Sequence, residues 1–127
     1  MSNKVTIKAQ LLNAPDNDLL GEFNSGLLEK VITQSGNDYT VGTQSIGSSA
    51  EEQIVVSDEI ATQGYWLIIN TDDENFVQVG YADVSSANDA RPVKIKPGEF
   101  VLFRANGAIY AQADTSDVKI KFYCLED

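Results

Sequence analysis

The chain has 127 residues, 43% of them hydrophobic, and carries nine Lys and Arg against 19 Asp and Glu for a formal charge of −10. That length and composition fit one globular domain able to bury about two thirds of its unfolded surface, and exclude a disordered segment. Histidine is absent, which removes the usual general base at neutral pH and rules out Ser-His-Asp and Cys-His catalysis.

Cys124 is the single cysteine, so no internal disulfide forms and stability must come from packing. Its place in an alternating strand reads as a small buried apolar group. Met1 to Lys8 holds no apolar segment of a signal peptide. The longest apolar run, Tyr65 to Ile69, has five residues, far below the ~20 of a membrane-spanning helix. A soluble product made in the cytoplasm is the expectation. Residues 31 to 90 hold ten carboxylates and no Lys or Arg. Such a surface repels phosphates and anionic lipid, which argues against nucleic-acid and membrane partners. Two readings of the charge stay open: solubility at high concentration, or an acidic face that meets a basic partner.

Val5 to Leu11 alternates, with Val5, Ile7, Ala9 and Leu11 on one side, and predicts a half-buried strand. Asn13 to Asp18 breaks it with turn formers. Residues 19 to 33 have Leu19, Leu20, Phe23, Leu27, Leu28 and Val31 at helical spacing, but Gly21, Asn24, Ser25 and Gly26 interrupt the pattern. A short helical turn and two short strands are both compatible, and the β character of the remaining chain favours strands. Asp38 to Ile46 places Tyr39, Val41 and Thr43 on one side, with Gly42 as a bulge or bend. Gly47 to Glu52 reads as a polar loop and Gln53 to Ser57 as a short strand.

Tyr65 to Ile69 is rich in β-branched and aromatic side chains and suits a strand buried on both faces. A polar break, Asn70 to Asn75, leads to a second alternating run, Phe76 to Ala82, and the pair is expected to form the central antiparallel hairpin. Residues 82 to 92 read as an exposed loop. Val93 to Ile95 is a short strand, and Pro97-Gly98 fits the centre of a type II turn. Glu99 to Ala105 and Ala108 to Ala113, joined by Asn106-Gly107, predict another hairpin. In the last strand Val118, Ile120, Phe122 and Cys124 point inward, with Lys119, Lys121 and Tyr123 outward. Strands recurring every eight to twelve residues between turns predict an all-β, single-domain antiparallel sandwich or jelly roll over residues 1–127, with at most one short helix.

Three constellations are candidates for chemistry. The oxygen-rich Asn70 to Asn75 loop has ligands for Ca²⁺, but Glu74 and the lack of a following glycine break the EF-hand pattern, and Asx turns explain the composition. No pair among the carboxylates is marked as convergent for acid–base catalysis. The aromatics, among them Tyr65, Trp66, Phe76, Tyr81 and Phe100, read as core or subunit contact before sugar platforms. No catalytic residue, cofactor or metal is expected.

Gly64-Tyr65, Asn70, Asn75-Phe76-Val77 with Gly80, Lys96-Pro97-Gly98-Glu99-Phe100 and Tyr110-Ala111 resemble small β-sandwich virion proteins of tailed bacteriophages. The resemblance covers roughly residues 45 to 125. It implies a non-enzymatic virion structural protein made in the host cytoplasm, namely a capsid decoration (cement) protein on the lattice of the major capsid protein. A tail or head-fibre module that binds carbohydrate or a receptor is the alternative. A homo-oligomer, a trimer for preference, is expected, with Trp66, Phe76 and Tyr81 near a subunit contact and Arg91 paired to an acidic partner.

Overall fold

The computed structural model describes residues 3–13, 23–82 and 91–127. Every regular element among them is a β-strand, and the chain divides into two compact units, residues 1–36 and 37–127. Where the sequence reads as one sandwich over 1–127, the sandwich strands lie in the second unit.

In the first unit, β1 (Asn3–Ala9) pairs antiparallel with β4 (Leu28–Gln34), and β2 (Leu12–Asn13) pairs with β3 (Phe23–Asn24). The open choice over residues 19–33 thus resolves to strand in its described part. Gly26 sits between β3 and β4 at φ +74, a conformation that costs glycine little. The β2–β3 end is held by Ser25, whose N–H donates to the Leu11 carbonyl and whose hydroxyl accepts from the Leu11 N–H, both at 2.8 Å.

The second unit contains β5 (Tyr39–Ile46), β6 (Glu52–Gln53), β7 (Gln63–Asn70), β8 (Val77–Gly80), β9 (Val93–Ile95), β10 (Phe100–Arg104), β11 (Tyr110–Ala113) and β12 (Val118–Glu126). They form two antiparallel sheets, in the orders β10-β7-β12-β5 and β6-β11-β8-β9. Period-two alternation sends Ile46, Trp66, Ile68, Val118, Ile120, Phe122 and Cys124 of the first sheet to one side. They meet Val77, Val79, Ile95, Ala111 and Ala113 of the second in a single buried cluster. Trp66 stacks on Phe122 in a tilted arrangement, ring centroids 5.9 Å apart. This is a β-sandwich.

Two expected hairpins are not hairpins. β7 and β8 lie in different sheets, as do β10 and β11, so Asn70 to Asn75 and Asn106-Gly107 carry the chain across the sandwich. The Asn-Gly signal presumes a type I′ turn, which needs positive φ at both central residues; Gly107 has it, and Asn106 does not. Gly42 is not a bulge either. The β5–β12 register runs unbroken through it, opposite Phe122, and a Cβ there would lie 3.2 Å from the Phe122 ring. The register shift falls on β12 instead, between Cys124 and Glu126. The 96–99 turn does form, with the Glu99 N–H on the Lys96 carbonyl at 3.0 Å and Gly98 at φ +79.

Candidate interaction surface

The outward face of the sheet β10-β7-β12-β5 is built by the residues that alternate with the core. Register places Leu102, Leu67, Tyr123 and Val41 in one row across all four strands. Phe100, Ile69, Lys121 and Thr43 form the next row, and Arg104 lies beside Tyr65. Phe100 is 70% exposed, Tyr39 66% and Val41 48%, while Tyr65, Leu67, Ile69 and Tyr123 are half-buried. The cations sit on the aromatics. Arg104 lies 4.5 Å from the Tyr65 ring centre and also binds Asp127, and Lys121 lies 5.5 Å from that of Tyr123.

The other sheet contrasts with it. Its outward positions hold Gln53, Gln78, Lys94, Tyr110 and Gln112, the ordinary dress of a strand face in water. One outer face is polar, and the other is apolar along its central row with cations beside it.

The residues singled out from sequence are scattered. Trp66 is fully buried in the core and Arg91 is nearly so, so neither offers contact area to another molecule in this fold. Arg91 binds the Glu51 carboxylate and donates to Gln112 Oε1 at 2.8 Å. Its charge is satisfied within the chain, because a buried guanidinium without a carboxylate costs several kcal/mol. Phe76 is half-buried beneath Lys94, whose Nζ lies 4.0 Å from the ring centre. Tyr81 is exposed, its hydroxyl accepting from the Asn106 N–H at 3.3 Å. It edges an apolar recess of about 140 Å³ with Val79, Pro92, Val93, Phe103 and Ile109. Phe76 and Tyr81 are not brought together with the outward face, and residues 83–90 of the expected 82–92 loop lie outside the described residues.

The Asn70 to Asn75 loop spends its oxygens on itself. Asn70 is buried, and its amide donates to the Asn75 and Ile95 carbonyls at 3.0 and 2.9 Å and accepts from the Asp72 N–H at 2.8 Å. Asp72 in turn accepts from the N–H groups of Asn75 at 2.7 Å and Glu74 at 3.0 Å, and these backbone bonds hold its carboxyl below the usual range. Thr115 donates to Asn75 Oδ1 at 2.8 Å, tying the loop to the 114–117 turn. Asp73, Glu74, Asp114 and Asp117 are exposed on these two joined loops. Cys124 is buried, and desolvation pushes its thiol up to about 12.

Comparison with protein-family models, curated protein sequences and solved structures finds no match.

Sequence alone does not assemble the outward face. The signal is present in β7, where Tyr65, Leu67 and Ile69 interleave with Trp66 and Ile68, so that both faces of one strand ask for cover.

Proposed function

We propose that this chain is a non-enzymatic structural protein of a bacteriophage virion, a decoration protein that docks on the lattice of the major capsid protein. The observation that carries the reading is the pairing order of the sandwich. β5 pairs with β12, β6 with β11, β7 with β10, and β8 with β9. That order supports reading the sandwich as a long hairpin rolled over on itself, the jelly-roll plan that viral capsid domains and lectins use. An outer face rich in Leu, Ile, Val and Tyr supports association as its work, since large apolar patches mark interaction sites. The resemblance of the turn and core residues to phage virion sandwiches points the same way.

Purified protein mixed with capsids lacking it is expected to co-sediment to a saturating stoichiometry. No co-sedimentation refutes the proposal. The second reading, a sugar- or receptor-binding module, draws on Tyr39, Tyr65 and Tyr123 along one face. Their neighbours are mainly aliphatic, with few groups to bond sugar hydroxyls, which weakens it. Clear hits on a glycan array with no capsid binding would favour that module instead.

A further inference from the structure

We infer that the outward face of the sheet β10-β7-β12-β5 is the contact between copies of this chain, covered by the carboxylate-bearing loops of a second copy. The face is apolar at its centre, where Leu102, Leu67, Tyr123 and Val41 share one row. Strand spacing of about 4.8 Å and a rise of about 3.3 Å per residue give a patch roughly 19 Å by 17 Å. That area suits the apolar core of a subunit interface, which a polar rim then completes.

Charge decides what covers it. In a chain of net charge −10, the outward positions of β10, β7 and β12 bear Arg104, which is paired with Asp127, and Lys119 and Lys121, with Glu126 opposite Gln63 beyond the register shift at the far end of β12. Among the described residues neither lysine has an ion-pair partner. An isologous pair, face on face, would set these cations against their own copies across a twofold axis. A heterologous contact sets them against the acidic remainder of the neighbour. An exposed acidic set, Asp73, Glu74, Asp114 and Asp117, lies on the joined 70–75 and 114–117 loops. Opposite charges then steer and register the contact. A contact between two different surfaces of the same chain builds an assembly of three or more copies, a ring where the rotation closes and a filament where it does not. The anionic-lipid alternative for a basic apolar face is opposed by the charge of the rest of the molecule.

The inference stands apart from the virion proposal, and one set of experiments separates them. Sedimentation equilibrium of the full chain across micromolar concentrations is expected to give a mass of three or more copies, falling as salt rises. Leu102→Glu and Phe100→Glu, both at exposed positions, should raise the dissociation constant at least 100-fold, with circular dichroism and melting temperature of the single chain retained. Lys121→Glu should weaken assembly about tenfold, and adding Asp73→Lys with Glu74→Lys to that chain should restore it. A wild-type mass of one or two copies overturns the inference, as does an assembly indifferent to Leu102→Glu and Phe100→Glu. Failure of the charge swap overturns the acidic loops as the cover. A single-copy wild type whose capsid binding is lost in Leu102→Glu assigns the face to the capsid protein, and one that floats with phosphatidylglycerol vesicles assigns it to membrane. Both overturn the inference, and the first leaves the virion proposal standing. Assemblies that form as expected but ignore capsids uphold the inference and sink that proposal.

Discussion

Asn70 is the position where one atom exchanged for another should cost most. Its amide is oriented without ambiguity, because two carbonyls lie on the donor side and one N–H on the acceptor side. Asn70→Asp keeps the shape and the bond from the Asp72 N–H but removes both donors. The carbonyls of Ile95 and Asn75 then face a carboxylate oxygen in a buried site. Each unsatisfied buried acceptor costs about 1–3 kcal/mol, so the loss is about 2–5 kcal/mol at pH 7. For a chain of this size that lowers the melting temperature by about 10–20 °C. Burial and the facing carbonyls raise the pKa of the new carboxyl above its unfolded value. The folded state then binds the proton more tightly, so the deficit relative to wild type must shrink as pH falls toward 4. Urea denaturation of both proteins from pH 4 to 8 measures this. A deficit below about 0.5 kcal/mol at pH 7, or one that grows on acidification, would refute the assignment of Asn70 as the bolt between the cross-over loop and β9.

Three more outcomes are expected. Gly64→Ala should cost about 1–3 kcal/mol, because the new Cβ would lie 3.1 Å from backbone atoms of Leu125 and Asp127. Gly42→Ala meets only the movable Phe122 ring and should cost less, and thermal melts that reverse the order contradict this packing. Trp66→Phe should cost about 1–2 kcal/mol against about 3–5 for Trp66→Ala. The indole N–H is buried with no partner among the described residues, so its loss offsets part of the missing volume, and equal losses would count against that. Cys124 should resist thiol reagents in the native protein. Its unfolded thiol titrates near 9.0 while the native one is pushed up to about 12, so the unfolded chain sheds a proton that the native state keeps. Stability must therefore decline as pH rises above about 9. Denaturation at pH 8 and 10 should show a shallower decline in Cys124→Ala, and matching declines would exclude the thiol as the cause.

Alternation was enough to read the β class and the inward set Val118, Ile120, Phe122 and Cys124, and Pro97-Gly98 was enough to read the 96–99 turn, since each depends on neighbours within a few residues. The same locality explains the failures at Asn70 to Asn75 and Asn106-Gly107. Turn residues report that the chain reverses, and they are silent on whether the next strand joins the same sheet or crosses to the facing one. Arg91 looked free because its partners, Glu51 and Gln112, are 40 and 21 positions away. The outward face has the same origin. Its central row draws on Leu102, Leu67, Tyr123 and Val41, residues that are remote along the chain and become one surface only when β12 pairs with β5 and β7, and β7 with β10.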